Sequence, residues 1–124
     1  MRPGMRLLVV TSALFLFACA AEIGDECTTS TDCSPDGNRI CDFAQTGGYC
    51  TIKNCSPDSC PDDALCVRFG DEPRFERSYC MAACSGGSDC RDDYSCTSAD
   101  GTVSVVIDED RHGRYCAPAP VSSP

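Results

Sequence analysis

The sequence predicts a small disulfide-rich fold: three tandem four-cysteine modules with short β-hairpins and little helix outside a signal peptide. Three observations carry this expectation. Thirteen of the 124 residues are cysteine and none is tryptophan, the composition of a disulfide scaffold in a short exported chain. Twelve of those cysteines fall into three sets of four, and a tyrosine stands directly before the fourth cysteine of every set. Outside the first twenty positions large apolar residues are sparse. A module of roughly 30 residues cannot bury enough apolar area to offset its chain entropy. Cross-links worth about 2–4 kcal/mol each must then supply much of the stability. Such bonds persist outside the reducing cytosol.

The N-terminus agrees with export. Arg2 and Arg6 form a basic start, and residues 7–17 are an apolar run too short to span a bilayer as a helix. Residues 1–18 therefore read as a signal peptide. Two cleavage readings stand. Ala18-Cys19-Ala20 fits ordinary signal peptidase, with cleavage after Ala20. Leu16-Phe17-Ala18-Cys19 looks like a bacterial lipobox, which makes Cys19 the new, lipidated N-terminus. Cysteine parity favours the lipobox, because setting Cys19 aside leaves twelve cysteines, an even number. A diacylglycerol thioether with a further acyl chain, palmitate or its like, anchors durably at about 0.8 kcal/mol per buried CH₂. Residues 19–26 are then the lipidated cysteine and a tether.

Three modules follow. Cys27, Cys33, Cys41 and Cys50 belong to residues 27–50; Cys55, Cys60, Cys66 and Cys80 to residues 51–80; Cys84, Cys90, Cys96 and Cys116 to residues 81–116. The stretch after each second cysteine forms a turn: Ser34-Pro35-Asp36-Gly37-Asn38, Pro61-Asp62-Asp63, and Arg91-Asp92-Asp93. A larger residue sits just before each third cysteine: Ile40, Leu65, Tyr94. With Tyr49, Tyr79 and Tyr115 these residues are expected to form a small apolar centre in each module, packed on its disulfides. The alternative is that the three tyrosines make a binding stripe.

The variable segment lies between the third and fourth cysteines and grows from eight to thirteen to nineteen residues. The first contains a Thr46-Gly47-Gly48 turn. In the second, Val67-Arg68-Phe69 reads as a short strand and Gly70-Asp71-Glu72-Pro73 as a turn. The third has a hairpin signal at Ala99-Asp100-Gly101-Thr102, a β-branched run over residues 102–107, and a turn over residues 108–113. Growth at one fixed place is how a scaffold diversifies its surface, so these loops are the candidate partner contacts. Residues 117–124, rich in proline and serine, read as a disordered tail. Four cysteines allow three pairings, and spacing does not choose among them. First-to-third with second-to-fourth is expected within modules, because interlocked loops constrain a coreless chain best. Pairing between modules stays open.

The alternation of cysteine, Asp-rich turn, cysteine, hairpin and Tyr-Cys resembles the repeats of bacterial cysteine-rich lipoproteins. It is also similar to the N-terminal cysteine-rich region of Dickkopf proteins, through Asp32-Cys33 and Asp89-Cys90; Ser59-Cys60 departs from that pattern. The likeness spans residues 27–116. Receptor antagonism in animals, the Dickkopf role, is not carried over to a chain with a lipobox. Resemblance to bacterial lipoproteins implies an outer-membrane destination, on the periplasmic or the cell-surface face, because Ala20 rather than Asp follows the lipidated cysteine. Secretion is the alternative.

Catalytic chemistry finds little support. The single histidine, His112, sits in the acidic run Asp108-Glu109-Asp110-Arg111-His112-Gly113, and no Gly-rich phosphate loop is present. Cys60-x₅-Cys66 and Cys80-x₃-Cys84 match paired zinc spacings poorly. Asp108-x-Asp110-x-His112-Gly113 begins like an EF-hand loop, but Ala119 stands where the bidentate Glu belongs. No cofactor and no metal are expected. With Arg2 and Arg6 removed, eight basic residues face nineteen acidic ones, a net charge of −11, which disfavours nucleic acid. The expectation is therefore a non-enzymatic, membrane-anchored interaction module with a protein partner. A protease inhibitor offering Arg68, Arg74 or Arg77, or a structural envelope component, is the alternative.

Overall fold

The computed structural model describes residues 21–34 and 37–119. The expected signal peptide and lipidation site, residues 1–20, together with Pro35, Asp36 and residues 120–124, lie outside the described residues. The fold is small, cysteine-rich and mostly antiparallel β, with six disulfides. Helix α1 (Ser30–Cys33) is a single turn. Strands β1 (Ile40–Cys41) and β2 (Cys50–Thr51) form a two-stranded sheet in module one. Strands β3 (Ala64–Phe69), β4 (Arg77–Cys84), β5 (Tyr94–Thr97), β6 (Ser104–Val106) and β7 (Arg114–Pro118) form one five-stranded sheet in the order β5-β7-β4-β3-β6.

One arrangement recurs in all three modules. The third and fourth cysteines face each other across an antiparallel pair: Cys41 opposite Cys50, Cys66 opposite Cys80, Cys96 opposite Cys116. They are not bonded to each other. The third reaches back to the first (Cys27–Cys41, Cys55–Cys66, Cys84–Cys96) and the fourth to the second (Cys33–Cys50, Cys60–Cys80, Cys90–Cys116). Each hairpin is thereby stapled twice to the loop before it, in the interlocked pattern the sequence favoured.

The loop between first and second cysteine is closed the same way three times. In module one the Asp32 carboxylate accepts the N–H groups of Thr28 and Thr29, both at 3.0 Å. In module three Asp89 accepts those of Ser85 and Gly86, at 2.8 and 3.1 Å. Module two has Ser59 there, and its hydroxyl accepts the Ser56 N–H at 3.0 Å. Ser59 departs from the Asp-Cys pattern in identity but fills the same place.

The modules are not three separate beads. The boundary expected between residues 80 and 81 falls inside β4, which carries both Cys80 and Cys84. The linker after Cys50 runs along β4 as well: Cys80 N–H donates to Ile52 O at 3.0 Å and Asn54 N–H to Ser78 O at 2.8 Å. Strand β6, expected to form a hairpin within module three, pairs instead with β3 of module two, Val106 opposite Val67. A module this small gains more by adding its β-branched run to a neighbour's open sheet edge than by burying it alone.

The apolar centre is correspondingly shared. Ile23, Tyr49, Leu65, Val67, Met81, Tyr94 and Tyr115 lie in one cluster with Cys55, Cys60, Cys66, Cys80 and Cys116 of modules two and three. The cysteines of module one form a separate small cluster. The expectation that each tyrosine packs on its own disulfides needs correction. Neighbouring strand positions point to opposite faces, so the residue before Cys80 or Cys116 turns away from it. Tyr79 and Tyr115 meet Phe69 instead, with ring centres 6.3 and 6.0 Å apart. Tyr49 is fully buried, with its hydroxyl bonded to Ala82 and Cys116 and its ring 5.6 Å from that of Tyr94.

Both ends of the folded region also differ from expectation. Residues 21–26, expected as a tether, are docked: Ile23 is 3% exposed, and Gly24 N–H donates to Cys50 O at 2.9 Å. At the other end Ala117 and Pro118 belong to β7, opposite Ser95 and Tyr94, so the tail does not begin at residue 117. In each case pairing with backbone left open by the hairpins outweighs the local preference for coil.

Candidate functional site

The variable turns of modules two and three are brought side by side. Phe69, the last residue of β3, pairs with Ser104 at the start of β6. The next step is a hydrogen bond from Gly70 N–H to Val103 O at 2.9 Å. Residues 70–76 and 100–103 therefore leave the same end of the sheet as neighbours. Asp71, Glu72, Pro73 and Arg74 are exposed, and Val103 is 49% exposed.

Both turns are ordered by local chemistry. The Asp100 carboxylate accepts N–H groups from Thr102 at 2.7 Å and Ser104 at 3.0 Å. Donation from Ser104 and Thr102 holds its carboxyl below the usual carboxylate range. The 70–76 turn passes through a 3₁₀ turn, Pro73–Phe75, with Pro73 presetting φ at its start. Glu72 pairs with Arg74 and Glu76 with Arg68, each at 3.6 Å.

Beside this end lies a groove of about 230 Å³, walled by Phe69, Tyr79, Met81, Tyr115, Ala117 and Pro118, with Gln45 at its margin. It occupies the splay between β4 and β7, which pair only at Ala83–Tyr115 and Cys84–Arg114. Gln45 Oε1 is shut from solvent and has no hydrogen-bond partner among the described residues. Of the three tyrosines read as a possible stripe, Tyr79 and Tyr115 share this groove and Tyr49 does not.

The remaining sequence candidates are placed as follows. Arg68 is in β3, between β4 and β6, where no free extended loop is presented. Arg74 stands at the turn tip in 3₁₀ conformation, and Arg77 begins β4 and donates to Glu76 O at 2.8 Å. His112 is exposed in the loop before β7. Asp108 is only 7% exposed, and its two oxygens accept the N–H groups of Asp58 at 2.7 Å and Cys66 at 2.9 Å. Asp58 in turn accepts the N–H groups of Glu109 and Asp110. The residue that opens the EF-hand-like run thus ties module three to module two through backbone donors. Among the described residues, the groups of three potential metal ligands within 4.8 Å are cysteine triplets, whose sulfurs are bonded in disulfides. No helix among them is long and apolar enough to cross a membrane.

Two residues central to the assembly gave no signal in the spacing. Arg91, read only as part of a turn, reaches module one: it donates to Gly24 O at 2.9 Å, Thr46 O at 2.6 Å, and Gly48 O. Ile23, in the segment expected as a tether, is part of the shared core. A lone arginine or isoleucine carries no periodic pattern, so only the three-dimensional packing reveals either.

No protein-family model, no curated protein and no solved structure matches this chain. A functional reading therefore has the chain's own chemistry to stand on.

Proposed function

We propose that this chain is a membrane-anchored, extracytoplasmic binding protein without enzymatic activity. Its partner is a protein met by the paired turns of modules two and three. The observation that carries the reading is the Gly70–Val103 hydrogen bond, which fuses the two variable loops into one surface at one end of the sheet. Six disulfides fit an oxidising compartment. The lipobox-like segment ending at Cys19 supplies the anchor, with the outer membrane as its destination. A surface fixed by covalent staples loses little entropy when a partner seats on it.

The test compares the wild-type protein with a variant in which residues 71–74 are Gly-Ser sequence and Val103 is serine. Both are used as bait in envelope extract after mass spectrometry has verified six intact disulfides. Capture of a partner by the wild type and its loss in the variant is expected. Equal capture by both would remove the turns from the interface.

A further inference from the structure

The segment just after the expected anchor is built into the fold. Arg39 donates to Ala21 O, and the Asp25 carboxylate accepts the Glu22 N–H at 2.8 Å. Ile23 is in the shared core. Gly24 N–H donates to Cys50 O, and Cys50 N–H donates to Asp25 O, both at 2.9 Å. Gly24 has φ +93°, and a Cβ there would stand 2.8 Å from the Ala82 Cβ and 3.2 Å from the Tyr49 hydroxyl. A spacer has no use for a buried isoleucine, or for a glycine whose missing Cβ permits such close approach.

The place of docking matters as much as the docking. Ala82 pairs with Ala64 at the start of β3, whereas the variable turn leaves the β3–β4 hairpin between Phe69 and Arg77. Five residue steps of strand separate Ala82 from Arg77, about 17 Å at ~3.3 Å per step. The N-terminal segment and the paired turns thus occupy opposite ends of the hairpin. The hollow beside Ala21, about 600 Å³, is lined by the acids Asp25, Glu26, Asp92 and Asp93 and by one cation, Arg91, whose guanidinium is committed to the carbonyls of Gly24, Thr46 and Gly48, so the lining is net negative. That charge opposes anionic headgroups and leaves neutral, zwitterionic ones as the compatible lipid surface.

We propose that residues 21–25 are an orienting clamp: they seat a zwitterionic bilayer surface against the module-one end and hold the paired turns away from it. Cys19 is two residues from Ala21, so the backbone of a lipidated Cys19 can lie no more than about 7 Å from Ala21. The lipid-facing half of this inference rests on the anchored reading above; the docking half does not.

Hydrogen exchange tests both halves on the membrane-extracted protein, in phosphatidylcholine vesicles and in detergent micelles. The Gly24 and Cys50 amides are expected to exchange at least tenfold slower than free chain in both media. Vesicles should further slow residues 21–27, 46 and 47 and leave 70–76 and 100–103 unchanged. A ten-residue Gly-Ser insertion between Ala20 and Ala21 should abolish the vesicle effect while keeping Gly24 protected. Free-chain exchange at Gly24 would overturn the clamp. Slowing at residues 70–76 in vesicles would overturn the orientation. An intact mass without acyl groups would sink the anchor and with it the orientation, while Gly24 exchange still decides the docking.

Discussion

The Tyr49 hydroxyl donates to the carbonyl of Cys116 at 3.2 Å and accepts the N–H of Ala82 at 2.8 Å. Ala82 and Cys116 occupy the register position just beyond Ala83–Tyr115, where β4 and β7 begin to splay. A phenol from module one thus completes a ladder step between β4 and β7. Tyr49→Phe would leave two buried backbone groups without a partner, at a cost of about 1–3 kcal/mol. Urea unfolding of the oxidised protein measures this, and an unchanged midpoint would contradict the bridging role.

Burial also pushes the Tyr49 phenol well above its ordinary value of 10.0. Because the folded value is raised, the stability it represents is complete below pH 10 and declines as the unfolded chain begins to ionise above it. The folded protein should retain a tyrosine that resists ionisation near pH 10 in an absorbance titration. That tyrosine should disappear from the titration of Tyr49→Phe.

Arg91 joins module three to module one by a different chemistry. Its guanidinium lies 4.3 Å from the Tyr94 ring centre while it donates to carbonyls of Gly24, Thr46 and Gly48. A lysine ammonium cannot stack flat on the ring and serve dispersed acceptors together. Arg91→Lys is therefore expected to lose about 1–3 kcal/mol despite its conserved charge. Exchange at the Gly24 and Cys50 amides should quicken. Matching stability and exchange in Arg91→Lys and wild type would reduce Arg91 to a bystander.

Two adjacent glycines should respond unequally. A Cβ on Gly48 would fall 2.1 Å from the Cys27 carbonyl oxygen and 2.9 Å from the sulfurs of Cys27 and Cys41. Gly47 has a similar φ, +72°, but its Cβ would meet only the Arg91 Nη2, at 3.5 Å. Gly47→Ala should fold with the αL penalty of about 1–2 kcal/mol. Gly48→Ala should fail to form Cys27–Cys41 in high yield. Disulfide mapping reads the difference, and equal yields would argue against the close approach.

The carboxylates of Asp32 and Asp89 are held below the ordinary 3.8, chiefly by the backbone N–H groups of Thr28 and Ser85 respectively. Lowered folded values mean that their contribution is present above about pH 4 and lost as pH falls through the folded values. Asp32→Asn should therefore be less stable than wild type at pH 7, with the gap narrowing by pH 2. Ser59, which has no such charge, should yield a cost for Ser59→Ala of about 1 kcal/mol that varies little over that range. Urea midpoints across pH test both, and a gap for Asp32→Asn independent of pH would exclude the electrostatic origin.

The sequence by itself determined which four cysteines make up each unit and where the local turns fall, while the pairing within each four was left to the fold. Cysteine spacing, the residue before each second cysteine, and the Tyr-Cys pair mark units whose geometry is local. Their partners lie within 26 residues along the chain, and turn preferences follow from φ and side-chain acceptors. Strand β3 and the turn after it were legible for the same reason, as was the location of the variable loops.

Tertiary structure alone decided where the modules meet. Nothing in the spacing distinguishes Tyr49, bonded 67 residues away, from Tyr79 and Tyr115, which turn to the groove. Likewise β6 has the composition of a hairpin arm, yet it pairs with another module. A small stapled unit leaves backbone edges and apolar side chains uncovered, and which neighbour covers them is set by the shape of the assembled sheet. Such long-range complementarity has no period in the chain, so it becomes visible only once the chain is folded.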